Sequence, residues 1–323
     1  LEQLQIEVAS LAARLGRRLV LIPESDLNNP RLIRPRAHDG YQLNAQWSDD
    51  FHHALHAVLT GESNGYYEDF GTLADLAKAL RDAYVYDGRY SLHRKRRHGR
   101  PAEGLDGHHF LGYAQTHDQV GNRAQGERLS QLVSVEKLKI VAALVFTSPF
   151  VPMLFQGEEW GASTPFQYFS NHAEPELANA VREGRRKEFA AFGWKPEEVP
   201  DPQARETFER SKLNWAELNR EPHATLLDWH RRLIQLRRDE AALTDGRRDV
   251  VETRFDETAR WLAIERGPIT VLVNFADAPQ GVPVRAGSHR VLLSSAELLK
   301  VAGGVAHLPG AGVAVLMQSE SAV

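Results

Sequence analysis

The stretch VLIPESDLNN, residues 20–29, runs apolar and then breaks into Glu24, Ser25 and Asp26. The same event recurs down the chain. QLNAQW (42–47) gives way to Ser48, Asp49 and Asp50, and HFLGYAQT (109–116) to His117 and Asp118. VPMLFQ (151–156) gives way to Gly157, Glu158, Glu159 and Trp160. Helical patterns lie between these runs, at about 50–60, 72–81 and 135–147. They follow an opening amphipathic helix over 1–16, with Leu4, Val8, Leu11 and Leu15 at helical spacing. Apolar strands that alternate with helices predict parallel strands joined by helical crossovers. Acids gathered at the carboxyl ends of successive parallel strands are what the active face of a (β/α)8 barrel requires. A carboxylate after a strand can equally cap the helix that follows. That alternative weakens as the event repeats.

Outside these runs the texture varies. Residues 87–108 are polar and rich in Gly and Arg, which reads as loop. Their basic cluster HRKRRHGR (93–100) lacks interleaved aromatics and reads as a solvated surface, with an anionic ligand left open. Residues 160–222 read as an irregular excursion, and 224–243 as a strong amphipathic helix. After about 245 the runs RWLAIER, ITVLVNF, HRVLLSS and VAVLMQS, separated by Gly and Pro, predict a small antiparallel β-sandwich. The expected division is a partial α/β barrel over 1–243, including the excursion, and a β-sandwich over 244–323.

Composition narrows the function classes. The 323 residues are 42% hydrophobic and 25% charged, with net charge −4, which argues against nucleic acid as a partner. The chain has no cysteine, so disulfides, thiolate metal sites and a cysteine nucleophile are excluded, and a cytoplasmic setting is expected. No apolar run reaches the roughly 18 residues of a membrane span, so no membrane partner is expected. The chain opens at Leu1, already inside a helical pattern, which suggests a piece of something longer.

The acids suit one chemistry well. A carboxyl shielded by barrel walls resists ionisation, which makes Glu24 a candidate general acid. His117 beside Asp118 can donate to a ligand hydroxyl. A metal site is disfavoured because no third ligand stands at metal spacing, and a Ser-His-Asp triad because no G-x-S-x-G turn exists. Trp47, Tyr66, Tyr67, Trp160, Phe166, Tyr168 and Phe169 crowd the same strand ends. Acids mixed with rings suit a sugar, whose C–H faces pack on rings while its hydroxyls bond carboxylates. For any one ring, core packing is the alternative.

The blocks PESDLNNPRLI (23–33), AQWSDDFHHALH (45–56), YYEDFG (66–71), THDQVGNRAQGERLS (116–130) and PMLFQGEEWGASTPFQYFSNH (152–172) closely resemble one family. It is the maltooligosyltrehalose trehalohydrolases, a trehalose-releasing branch of the α-amylase-like glycoside hydrolases. The resemblance covers nearly the whole chain, and QWSDDFHH is its most specific block. It implies that the chain holds the C-terminal half of a (β/α)8 barrel, strands 5–8, followed by the β domain. It implies that Glu24 is the general acid/base after strand 5. Asp118, after strand 7, would stabilise the transition state, with His117 binding a hydroxyl. Trp47, Asp49, Asp50, His52, Tyr66 and Tyr67 would shape the trehalose end of the cleft. Gln119, Asn122, Arg123, Glu127, Arg128, Glu158 and Trp160 would line the rest.

The implied reaction is retaining hydrolysis of the α-1,4 bond next to the terminal trehalose of maltooligosyltrehalose, without metal or organic cofactor. Retention needs a nucleophilic carboxylate about 5–5.5 Å from the acid. The family's nucleophile motif, resembling R-x-D-A-V-H, does not occur in these residues. The chain alone is therefore expected to be inactive, and a complementary N-terminal half-barrel is its expected partner. The alternatives are a glycogen-branching or α-amylase-type enzyme, or a carbohydrate-binding module without turnover.

Overall fold

A computed structural model describes residues 1–190 and 195–319. In chain order its helices and strands open with α1 (Glu2–Leu15), β1 (Gln46–Trp47), α2 (Asp49–Thr60), α3 (Leu73–Asp82), β2 (Asp87–Ser91), β3 (Arg96–Gly99) and β4 (Phe110–Gly112). Next come α4 (His117–Gly121), α5 (Leu129–Leu132), α6 (Val135–Thr147), β5 (Val151–Pro152), α7 (Pro175–Ala190), α8 (Arg205–Arg210), α9 (His223–Asp239) and α10 (Ala241–Thr244). The β domain holds β6 (Val251–Asp256), β7 (Trp261–Arg266), β8 (Ile269–Asn274), β9 (Gln280–Pro283), β10 (His289–Ser294), β11 (Lys300–Ala302), β12 (Val305–Leu308) and β13 (Gly312–Gln318). These elements form two compact units. One comprises Leu1–Ala114, Lys139–Met153 and Arg232–Val323, the other Gln115–Leu138 and Leu154–Arg231.

The first unit contains a parallel sheet of order β1-β4-β5, in which Trp47 pairs with Leu111 and Leu111 with Val151. The expected strand over 18–23 runs beside β1 but forms no regular ladder. Asn44 N–H donates to Leu21 O at 3.0 Å, while Leu21 N–H turns to the Asn44 side chain at 2.7 Å. Pro23 has no N–H to add, and its carbonyl takes only a 3.3 Å bond from Trp47 N–H. A side chain in place of a backbone acceptor, then a proline, interrupts the pairing.

α2 is buried along Asp50–Leu59, which explains how a helix can carry three histidines inward. The loop expected over 87–108 is corrected: β2 and β3 form an antiparallel hairpin, with Ser91 opposite Arg96. Its strands lack an apolar face, so no period-2 signal marks them. The hairpin braces the segment after Glu24. Arg94 Nη2 donates to Asp26 Oδ2 at 2.6 Å, His98 Nε2–H to Asp26 O at 2.8 Å, and Arg100 N–H to Asn28 O at 3.0 Å. A Cβ on Gly99 would stand 1.8 Å from Tyr86 O, and its φ is +75°, so only glycine fits.

In the β domain a five-stranded antiparallel sheet (β10-β13-β8-β7-β6) faces a three-stranded one (β11-β12-β9). Ala263, Leu272, Ala314 and Leu316 of the larger sheet pack with Val282, Ala306 and Leu308 of the smaller. The opposite face of the larger sheet is buried too, through Val271, Val273, Val313 and Val315. Burial on both faces explains the unbroken apolar runs in β8 and β13. Two arginines, Arg266 on β7 and Arg237 on α9, hold the turn between α6 and β5 within the same unit. Arg266 donates to the carbonyls of Thr147, Ser148, Leu243 and Asp245, and Arg237 to those of Phe146, Ser148 and Phe150. They satisfy the C-terminal carbonyls of α6 and the turn into β5. Glu257 does the converse at the start of α3, accepting from Leu73 N–H and Ala74 N–H.

In the second unit, the expected irregular excursion over 160–222 is corrected in part. It holds α7 and α8, while 191–194 lie outside the described residues. α7 is polar and carries Glu183–Arg186 and Arg185–Glu188 pairs, so its hydrophobic period is faint. Among the described residues no helix is long and apolar enough to cross a membrane.

Candidate functional site

Glu24 is exposed, so the shielding expected of barrel walls does not surround it here. Close to it in the first unit, a wall of rings and acids stands on β1, α2 and the end of β4. Trp47 meets Tyr113 edge-on at 5.6 Å between centroids, and Tyr113 stacks on His52 at 5.7 Å. The Tyr113 hydroxyl donates to Asp49 Oδ1. Burial pushes that hydroxyl well above the ordinary tyrosine range. The negative charges of Asp49, Glu24 and Asp50 add to the effect.

His52 fixes the other side of this wall. Its Nδ1 is 2.7 Å from Ala114 O, which can only accept, so Nδ1 carries the proton. Nε2 then accepts from the Tyr67 hydroxyl at 3.1 Å. Burial holds the His52 imidazole well below its usual range, which keeps it neutral and preserves this polarity. Tyr67 in turn stacks on His56 at 4.4 Å and meets Tyr66 at 4.5 Å. Tyr67 is buried, and Tyr66, 37% exposed, carries the cluster to the surface.

Asp50 has another job. It is 3% exposed, and its Oδ2 accepts from Asn28 Nδ2 at 2.7 Å, Val85 N–H at 2.6 Å and Tyr86 N–H at 2.7 Å. Burial, against these bonds, raises its pKa to about 7. Asp50 joins α2, the Asn28 loop and the chain after α3, and its carboxylate is spent on them.

The second unit holds the remaining candidates. Thr116 caps α4 by accepting from Asp118 N–H at 3.2 Å, which places His117 and Asp118 in the helix's first turn, both exposed. Asn122 Nδ2 donates to Asp118 Oδ1 at 2.8 Å, and Asn122 accepts from Arg185 at 3.2 Å. Gln119 Oε1 accepts from the Thr116 hydroxyl at 2.5 Å, and Arg123 pairs with Glu127 at 3.6 Å. These residues form one polar surface around Asp118.

Arg128, Glu158 and Trp160 sit deeper. Arg128 is fully buried, donates to Thr164 O and Gln156 O at 2.7 Å each, and lies over the Phe155 ring. Burial lowers its pKa to about 10. It props the loop after β5. Trp160 is 1% exposed, and its indole N–H donates to Glu217 at 2.9 Å. It packs as core and offers no face to a ligand. Glu158 is 8% exposed; Oε2 accepts from Phe155 N–H at 3.2 Å, and Oε1 has no partner among the described residues. Burial raises its pKa to about 8, so it is mostly protonated at neutral pH.

Tyr113 is the participant that sequence reasoning passes over. The available signal is a tyrosine closing an apolar run, whose hydroxyl needs a partner when buried. Among the described residues no group of three or more His, Asp or Glu is placed to hold a metal ion.

Relatives give these clusters a context. Residues 246–315 match a family model described as a domain of unknown function, DUF3459. The chain is 48% identical over 98% of its length to the malto-oligosyltrehalose trehalohydrolase of Rhizobium sp. strain M-11, covering 53% of that protein. It is 49% identical, again over 98%, to the one of Arthrobacter ramosus, covering 54%. The chain thus spans about half the length of the curated relatives it matches. Among solved structures, a "Putative alpha Amylase" from Salmonella typhimurium aligns with TM-score 0.82 and 34% identity, over 97% of this chain and 54% of that one. The α-amylase from H. orenii shares the fold at TM-score 0.59 and 16% identity, over 98% and 56%. These relatives bear out the expected fold class: the C-terminal half of a (β/α)8 barrel followed by an antiparallel β domain.

Proposed function

Since the chain is homologous along nearly its whole length to the malto-oligosyltrehalose trehalohydrolases, we propose that it carries the acid/base half of a trehalose-releasing glycoside hydrolase. The observation that supports this most is the wall near Glu24. Trp47, Asp49 and Tyr66 form a ring-and-carboxylate surface, held from behind by the buried Tyr113, His52 and Tyr67. Such a surface packs on sugar C–H faces and bonds sugar hydroxyls. In the proposed reaction Glu24 protonates the oxygen leaving the α-1,4 bond, then deprotonates the water that completes hydrolysis. Asp118, steadied by Asn122, holds hydroxyls of the sugar as it becomes oxocarbenium-like. The substrate is maltooligosyltrehalose and the product free trehalose. A cytoplasmic setting fits the absence of cysteine.

The nucleophile belongs to sequence that these residues do not contain, so a complementary half-barrel is the proposed partner. The test is trehalose release from maltotriosyltrehalose. The isolated chain should release none, and the chain joined to the matching half of a relative should release it. Branching to α-1,6 links, or hydrolysis of plain maltodextrin alone, would assign the chain to another member of the fold family. Binding of sugar without turnover by the joined protein would favour a binding module.

A further inference from the structure

Helix α4 spans only His117–Gly121, and Asp118 in its first turn is exposed, so the helix alone does little to orient that carboxylate. A spacing of four puts Asn122 on the same side of the turn, and Asn122 Nδ2 donates to Asp118 Oδ1 at 2.8 Å. Asn122 is exposed as well. A free amide can present either its oxygen or its nitrogen to a neighbour. Here the amide lies between a carboxylate, which accepts, and Arg185, which has only donors. Its nitrogen therefore goes to Asp118 and its oxygen to Arg185 Nη1, at 3.2 Å. Reversing the amide would set oxygen against carboxylate and NH2 against guanidinium.

Arg185 comes from α7, far away in sequence, and is itself firmly held. Its Nη2 donates to Gly121 O at 2.7 Å, a carbonyl at the C-terminal end of α4. The two arms of one guanidinium thus reach consecutive residues, Gly121 and Asn122. The same group lies 4.7 Å from the ring centres of both Tyr168 and Phe189. Its side chain is 12% exposed, and Nη1 also meets Glu188 at 3.2 Å. Phe189 packs with Ala124 and Val199 in one buried cluster, which seats α7 against the chain that follows α4. A guanidinium is a rigid planar fork, so contacts on its edge and on its faces leave it one place.

We propose that Arg185 is a positioning residue for Asp118, acting through the Asn122 amide. The proposal rests on the role given to Asp118 above. The test measures hydrolysis of maltotriosyltrehalose by the joined, full-length protein. Arg185→Ala should lower kcat about ten-fold or more and leave KM within about two-fold. Asn122→Ala should lower kcat by a similar factor. Adding Arg185→Ala to it should lower kcat no further, because the path through the amide is already cut. Arg185→Lys keeps the charge but not the fork, and should lose kcat in smaller measure. Arg186→Ala, on the same helix but paired with Glu183, should leave kcat unchanged. Unfolding midpoints of all variants separate a lost fold from a lost contact, and Arg185→Lys decides the matter if Arg185→Ala does not fold. Unchanged kcat in Arg185→Ala, or full turnover in Arg185→Lys, overturns the proposal. So does an undiminished further loss when Arg185→Ala is added to Asn122→Ala, or an equal loss in Arg186→Ala. If Asp118→Asn abolishes turnover, any of these results leaves the functional reading standing. If Asp118→Asn keeps full turnover, the role of Asp118 fails and the proposal fails with it.

Discussion

Tyr113 donates its hydroxyl to the Asp49 carboxylate while its ring stacks on His52 and meets Trp47 edge-on. One residue at the end of an apolar run thus fixes a carboxylate, an imidazole and an indole. Tyr113→Phe keeps the ring and removes the donor. It should lower stability by about 1–2 kcal/mol, the usual consequence of depriving a buried group of a bond. It should also weaken trehalose binding, because Asp49 loses the Tyr113 donor. Urea unfolding and a trehalose titration check this. Unchanged values in both would show that the bond does not order the wall.

Arg266 ties β7 to the end of α6 and to the chain around Leu243. Its guanidinium is 1% exposed and reaches Thr147 O at 2.8 Å, Ser148 O at 2.9 Å and Leu243 O at 3.1 Å. Arg266→Met retains much of the volume but abandons these carbonyls in a buried place. A loss of roughly 3 kcal/mol or more is expected in the unfolding midpoint. By contrast, Arg186→Ala breaks a pair with Glu183, which is 70% exposed, and should change stability by no more than about 1 kcal/mol. Similar losses for both would contradict the role given to Arg266.

Burial raises Glu158 to about 8, against about 4.3 for an unfolded glutamate. Between those values the folded chain keeps a proton that the unfolded chain has released. Stability therefore falls as pH rises through this window, and no further above it. Asp50, raised to about 7, adds the same sign over a lower window. Glu158→Gln is permanently uncharged and should lose part of the slope, gaining on the unaltered chain between pH 5 and pH 8. The difference is on the order of a few kcal/mol. Parallel profiles from pH 5 to pH 8 would show that Glu158 does not carry a proton into the folded state.

Helix α6 is legible to the residue over Val135–Thr147, because its apolar positions leave no other period. α2 and α3 are legible for the same reason. The hairpin β2–β3 is not, because its residues face polar partners such as Asp69 and Asp26 and show no alternation. α7 is hidden by its charge pairs. Within the candidate site, an acid in a motif can be found from sequence, but what its carboxylate does cannot. Asp49 and Asp50 are adjacent letters. One meets Tyr113, and the other is buried beneath three donors from distant parts of the chain. Trp160 and Tyr66 are both aromatic neighbours of acids, yet only Tyr66 reaches the surface. Long-range packing decides these outcomes, and no local pattern records it.

Glu24 bears the central claim, and the most direct measurement is trehalose release from maltotriosyltrehalose by the joined, full-length protein with and without Glu24→Gln. The amide keeps the shape and removes the proton. Turnover should fall by about a thousand-fold or more, with substrate affinity little changed. Turnover that stays within a few-fold of the unaltered protein would mean that the proton comes from elsewhere.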